Sequence, residues 1–274
     1  MHAEVFQPKV LSTDLGAFTV YTAGRSGPWV VCWPTVMSDH RSMLAFAEQL
    51  LGQYRIVLVD PPGIGANNHI GQWPNVAAQT ALAHQVVDAL GIGNFHWVGH
   101  GYGGLVGAGM LARVGYRMQS ITLSNTHFLH TIRMKFPSLF ASVVLRSNYF
   151  GRRWIGARMG RQMATANAWE HKRVCRYLAD VFKHSNLRML AHFQPVPLRE
   201  LNQLRKLLEK VRIPKLLLAG ALDNQVLPRD QATLADVLQA RYEVVYSGYG
   251  TFYAKPADCA YMVSNFWNSK LRFT

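Results

Sequence analysis

A mostly parallel α/β sheet with helices on both faces is what this chain predicts, and three observations carry the expectation. Short apolar, β-branched-rich runs alternate with helical spacings over most of its length, the pattern of strands joined by crossover helices. One such run, Phe95-His96-Trp97-Val98, ends abruptly in Gly99-His100-Gly101-Tyr102-Gly103-Gly104 and is followed by a small-residue helix, so strand, tight turn and helix succeed one another with glycines on both sides of the turn. With 49% hydrophobic and 16% charged residues among 274, the chain can also bury a sizeable core, which excludes a disordered polymer.

The elements read in order as follows. Glu4–Leu11 and Ala17–Tyr21 are early strands joined around Asp14-Leu15-Gly16. Trp29–Cys32 is a short apolar strand, and Arg41–Leu51 has helical spacing through Met43, Leu44, Phe46, Ala47 and Leu50. Arg55–Val59 is a buried strand running into Asp60-Pro61-Pro62-Gly63-Ile64-Gly65, and Asn75–Leu90 is a helix closed by Gly91. The helix after the glycine knot extends to about Arg113, with Gly104, Gly107, Ala108 and Gly109 letting it approach the sheet. Met118–Ser124 is a strand, after which the alternation stops for about 85 residues of helical pattern rich in Arg, Met and aromatics. Lys215–Leu218, Asp230–Ala240, Tyr242–Tyr246 and Pro256–Leu271 then resume as strand, helix, strand and helix. The expected organisation is a sheet domain of residues 1–129 and 214–274, interrupted by a helical insertion at 130–213.

Charge separates these two parts. Residues 130–215 hold 18 Lys and Arg against 4 Asp and Glu, whereas the remainder carries 11 of each sign, so the net +14 resides in one segment. A neutral body with one basic insert suggests a face directed at something anionic rather than a nucleic-acid-binding domain, and no nucleic-acid-binding module is recognisable. Within the insert Phe136, Leu139, Phe140, Val143, Val144, Phe150, Trp154 and Met159 interleave with Arg146, Arg152, Arg153, Arg158 and Arg161. A greasy inner face with a solvated basic back is the plain reading; docking on an anionic membrane surface or on an acidic carrier is the sharper one. Cys32, Cys175 and Cys259 are odd in number and widely spaced, which argues against a disulfide framework or zinc site and for free thiols in a cytoplasmic protein, with a peripheral membrane position left open. No apolar run reaches the roughly 20 residues of a bilayer span, and Met1–Val10 lacks the order of a secretory signal. No metal-ligand or phosphate-loop spacing stands out, so no cofactor is expected.

The strand–turn–helix at Gly99–Gly103 resembles the nucleophile elbow of the α/β-hydrolase family, Gly-x-Ser-x-Gly, and Asp60–Gly65 resembles that family's D-x-x-G-x-G turn, with Asn67 where a serine is common. The resemblance implies an α/β-hydrolase fold: a mostly parallel eight-stranded sheet, with the insertion placed as a lid after strand 6. It also implies where a triad would fall. Gly101 occupies the nucleophile position, which is therefore empty of a hydroxyl. Asp223, in Leu217-Leu218-Ala219-Gly220-Ala221-Leu222-Asp223, falls on the acid position. Counting back seven residues from Pro256 places Tyr249 on the histidine position, or Thr251 in a shifted reading, and none of the 11 histidines lies beyond His192. Tyrosine, with a pKa near 10, is no neutral-pH base without a large shift. The oxyanion-hole segment aligns with Val31-Cys32-Trp33-Pro34-Thr35, where a donor at Pro34 would have no N–H.

Other residues around the implied pocket are Trp33, Pro34, His100, Tyr102, Ser124, Thr251 and Phe252, as candidates for binding, and His127, just past the sixth strand, as the remaining candidate for proton transfer. Asp39 and His40 are adjacent, so their side chains are expected to diverge. The residues are thus expected to describe an α/β-hydrolase homologue without a working Ser-His pair. Its lidded pocket would bind, or transform by proton transfer, cyclisation or lyase chemistry, an apolar acyl-, ester- or polyketide-like molecule. Two alternatives stay open: an active esterase, thioesterase or acyltransferase with a mutated or unconventional nucleophile, and a non-enzymatic protein whose basic lid docks on anionic lipid or an acidic partner; the basic lid could equally meet acyl carrier protein or a coenzyme A thioester.

Overall fold

The computed structural model describes residues 5–71, 75–128, 149–186 and 195–270. Eight strands form one sheet: β1 (Gln7–Thr13), β2 (Gly16–Ala23), β3 (Trp29–Trp33), β4 (Arg55–Val59), β5 (Phe95–His100), β6 (Met118–Ser124), β7 (Lys215–Gly220) and β8 (Arg241–Val245). Their spatial order is β1-β2-β4-β3-β5-β6-β7-β8; the pairs β1–β2 and β2–β4 are antiparallel and the other neighbours parallel. The helices are α1 (Arg41–Leu50), α2 (Val76–Ala89), α3 (Tyr102–Val114), α4 (Tyr149–Gln162), α5 (Ala168–His184), α6 (Leu198–Lys210), α7 (Pro228–Leu238), α8 (Thr251–Ala254) and α9 (Pro256–Lys270).

Alternate residues of the strands separate two cores, because successive side chains of a strand point to opposite faces. Val31, Trp33, Val57, Val59, Trp97 and Leu217 meet α2, α3 and α7 on one face. Val30, Cys32, Ile56, Leu58, Val98 and Leu218 meet Met43, Phe46 and Leu50 of α1 and Val263, Phe266 and Trp267 of α9 on the other. The layered α/β/α arrangement is the one expected. Leu201, Leu204 and Leu208 of α6 belong to the first core, so the last helix before β7 covers the sheet although it falls within the basic insertion. The short helix α8 carries no spacing signal in four residues, which is why the sequence did not reveal it.

Two cap helices, α4 and α5, lie against loops at the carboxyl ends of the strands. Ile155, Val181 and Phe182 pack on Met37 and Ile64, and Asn186 N–H donates to the Gly63 carbonyl at 2.8 Å. The expected lid positions Phe136, Leu139, Phe140, Val143, Val144 and Arg146 lie outside the described residues, as do Glu4, Leu271 and the side chain of Phe150. Among the described residues no helix is long and apolar enough to cross a membrane.

The Asp60 turn anchors one side of this rim. The Asp60 carboxylate is fully buried and accepts the His40 N–H and His40 Nδ1, each at 2.7 Å, the Ala66 N–H at 2.8 Å and the Tyr21 hydroxyl at 3.3 Å. Burial alone would raise its pKa, but the bonds from His40 and Ala66 outweigh that and hold it below the ordinary value. Asn67 locks the same turn to β2, donating to the Thr19 and Asp60 carbonyls at 2.9 and 2.8 Å and accepting the Thr19 N–H at 2.8 Å. A depressed carboxylate contributes stability present above its unfolded pKa and lost as pH falls through the folded one. Asp60→Ala strands several buried donors, so urea unfolding at neutral pH is expected to show a loss on the order of 3–5 kcal/mol that shrinks toward acid pH. A loss below about 1 kcal/mol would show the cluster to be solvated rather than buried.

Candidate active site

Parallel pairing of β5 between β3 and β6 puts the central turn at the carboxyl edge of the sheet, where the loops after β3, β6, β7 and β8 converge. Gly101 caps α3 with φ 52° and ψ −114°, a conformation that only glycine adopts without steric cost. Its N–H donates to the Ser124 carbonyl at 2.8 Å, and its carbonyl accepts the Gly104 N–H at 3.0 Å. Gly103 is required for another reason: a Cβ there would overlap the Trp33 carbonyl, so the β3 loop could not approach α3.

The place a nucleophile's side chain would take is filled. The Thr35 and Tyr249 hydroxyls share a 2.9 Å hydrogen bond directly above Gly101, and a Cβ on residue 101 would overlap both oxygens and lie 2.9 Å from the Thr35 Cβ. Thr35 Oγ1 also accepts the Tyr102 N–H at 3.3 Å. In the elbow arrangement that amide faces the oxyanion, so one threonine covers both the nucleophile's space and an oxyanion donor. Beside Pro34, which as proline has no N–H to offer, Thr35 is the residue whose side chain meets the turn at Gly101.

Tyr249, which the resemblance placed on the histidine position, is half of this hydroxyl pair. Burial raises its pKa well above the tyrosine range, with the Asp223 charge adding to the rise, so its hydroxyl stays protonated. His100 donates Nε2–H to the Tyr249 carbonyl at 2.8 Å, its ring 4.8 Å from that of Tyr249. Burial pushes the His100 pKa down to about 4, against a smaller opposing effect of that bond, leaving a neutral ring that braces the turn.

Asp223, expected at the acid position, is 3% exposed and sits in the loop after β7. The Tyr249 hydroxyl is bonded to Thr35 rather than to Asp223. Asp223 accepts Asn125 Nδ2–H at 2.6 Å and the N–H groups of Gln225 and Val226 at 2.7 and 3.2 Å. Asn125 is the hub: its Oδ1 accepts the Ser124 hydroxyl at 2.7 Å and the Thr251 hydroxyl at 2.6 Å. It holds φ 49°, a left-handed conformation that asparagine tolerates better than most residues. Desolvation nevertheless dominates, and the Asp223 carboxyl is pushed up to about 6.

The structure brings Gly101, Tyr249, Thr251, Asp223, Ser124, His100 and Tyr102 into one cluster. Trp33 is instead fully buried against Trp97, 5.7 Å between ring centroids, and Phe252 packs on Phe46 at 4.6 Å, so both act as core. His127, three residues past β6, is 9% exposed. Asp39 and His40 do diverge: Asp39 takes Arg41 and Tyr177, while His40 takes Asp60. Thr35 and Asn125 are the residues that reading the chain missed. Their only advance signal is that each follows a strand end within two residues.

An eight-stranded sheet whose central strand turns sharply into a helix, with a helical cap inserted after the sixth strand, defines a protein of the nucleophile-elbow class. The chain belongs to the alpha/beta hydrolase fold family, which matches residues 28–253. Among solved structures it is similar to a thermophilic esterase from Thermogutta terrifontis, at 18% identity and TM-score 0.77 over 96% of this chain and 98% of that one. It is likewise similar to the enol-lactonase of Burkholderia xenovorans LB400, at 19% identity and TM-score 0.77 over 95% and 100% of the two chains. A bromoperoxidase from Bacillus anthracis aligns at 16% identity and TM-score 0.75 over 96% and 100%. Comparison with curated proteins gives no match.

Proposed function

We propose that this chain is a non-hydrolytic member of its family that binds an apolar acyl-, ester- or polyketide-like small molecule without cleaving it. The observation that carries the reading is the sealed elbow: glycine replaces the nucleophile, and the Thr35–Tyr249 hydroxyl pair occupies the volume a serine would need. The surrounding ionisable groups support it. His100 is neutral with its Nε2–H committed, Tyr249 keeps its proton, and Asp223 is bonded to Asn125 rather than to an imidazole. Neither His100 nor Tyr249 therefore takes a proton from an attacking hydroxyl at neutral pH, and the Asp223 oxygens are already committed to Asn125, Gln225 and Val226. A basic cap suits a ligand presented by an anionic carrier, such as acyl carrier protein or coenzyme A, or by an anionic membrane surface.

The test is direct. With p-nitrophenyl esters of short and medium chain length, turnover is expected to equal the no-protein background, and a fluorophosphonate probe should leave the chain unlabelled. Medium-chain acyl esters and lactones should raise the melting temperature while being recovered intact, as ligands of the folded state do. Ester hydrolysis abolished by the phosphonate would overturn the reading in favour of an esterase or acyltransferase with another nucleophile. Proton-transfer or lyase chemistry would appear as a product of altered structure in the recovered ligand.

A further inference from the structure

Arginines from three separate elements converge on one cavity. Arg41 from the first turn of α1, Arg153 from α4, and Arg173 and Arg176 from α5 line a space of about 480 Å³ at the seam between cap and sheet, completed by Tyr177, Asp180 and Tyr253. Arg41 is balanced, binding Asp39 through Nε at 2.8 Å and Asp180 through Nη1 at 2.7 Å. Among the described residues, no ion pair to a carboxylate engages Arg153, Arg173 or Arg176. Arg173 is held in place all the same. Its guanidinium lies 4.6 Å from the Trp169 ring and 5.0 Å from that of Tyr253, which stacks on Tyr177 with 4.6 Å between centroids. Arg173 and Arg176, three residues apart on one helix, share a face and repel each other.

Like charges gathered by the tertiary fold at one concave place, with aromatic rings fixing one of them, are unfavourable until an anion joins them. From this we propose that the cavity binds a small molecule carrying a pyrophosphate or two closely spaced phosphate esters. Guanidinium forks engage phosphate oxygens in pairs, and several forks arriving from α1, α4 and α5 match more oxygens than one phosphate presents. After Asp39 and Asp180 are set against Arg41, the surplus is positive and suits a multiply charged anion. The volume falls in the range of small-molecule sites and exceeds what a single phosphate fills. The site is independent of the elbow's chemistry, although Tyr253 lies on the same short turn as Tyr249.

Calorimetric titration of the full chain at about 0.1 M salt with inorganic pyrophosphate, orthophosphate, ADP and coenzyme A tests this. Saturable single-site binding is expected, with pyrophosphate about tenfold tighter than orthophosphate. ADP and coenzyme A reveal whether a nucleotide or an acyl carrier supplies the group, and binding of pyrophosphate alone would point to the free anion. Arg173→Gln and Arg176→Gln should each weaken binding by roughly fivefold or more and together by about thirtyfold, while Arg199→Gln on the exposed face of α6 stays within about twofold. Arg176 is exposed, so its variant keeps the fold and the test stands even where Arg173→Gln disturbs α5. Non-saturable binding, equal weakening by Arg199→Gln, or association with anionic phospholipid vesicles only would overturn the proposal and leave a diffuse basic surface.

Discussion

Gly101→Ser is expected to give a less stable protein that still fails to hydrolyse esters. The new Cβ would overlap the Tyr249 and Thr35 hydroxyl oxygens, both on buried side chains packed over the turn. Overpacking a close-packed site costs about 1–3 kcal/mol, and a non-glycine residue at φ 52° and ψ −114° adds backbone strain of about 1–3 kcal/mol. Together these give a loss of roughly 2–6 kcal/mol, which at about 2–4 °C per kcal/mol for a domain of this size lowers the melting temperature by roughly 4–24 °C. Removing the Tyr249 hydroxyl that it would meet should relieve part of that. Gly101→Ser with Tyr249→Phe should therefore be more stable than the sum of the single changes, by a coupling of about 0.5–3 kcal/mol. Activity stays at background because the installed hydroxyl meets no free imidazole: His100 spends its Nε2–H on the Tyr249 carbonyl. Robust ester hydrolysis by Gly101→Ser would mean that the hydrolytic machinery was complete except for one atom, and the sealed-elbow account would fall.

The second large effect concerns pH and Asp223. Its carboxyl is pushed up to about 6 from the ordinary 3.8, chiefly by burial. A folded pKa above the unfolded one means that the native state binds the proton more tightly. The group's stabilising contribution is therefore complete below about pH 3.8 and is lost as pH rises through about 6. At 1.36 kcal/mol per unit, the wild type loses on the order of 2–3 kcal/mol from this residue across that window. Asp223→Asn cannot titrate. Its amide places a donor against Asn125 Nδ2–H, a penalty of about 1–3 kcal/mol that does not vary with pH. Denaturant unfolding from pH 4 to 7.5 should show the variant gaining on the wild type as pH rises, whatever the constant offset between them. Parallel stability curves would show that Asp223 is not desolvated.

Much of this was visible along the chain because it depends on near neighbours. Gly99, Gly101 and Gly103 announce a turn too tight for side chains, and the absence of histidine beyond His192 is a matter of reading. The position of Asp223 follows from the strand before it. What stayed hidden depends on contacts between distant residues. Thr35 and Tyr249 are 214 positions apart, Asn125 and Thr251 126, and Asn125 and Asp223 98. Nothing local marks Thr35 as a partner of the turn at Gly101, which does not exist until β3 and β5 pair, nor Asn125 as the residue bonded to Asp223.

By itself the sequence determined the layered sheet and the sharp turn at Gly101, because periodicity, glycine spacing and residue identity are local properties. Whether the space above Gly101 is open or closed was decided only by the tertiary structure. Parallel pairing brings the loops after β3 and β8 over one glycine, and there two hydroxyls occupy the space a side chain at residue 101 would need. The convergence of four arginines from three elements on one cavity has the same origin, since proximity across a fold is a property of packing and not of order along the chain.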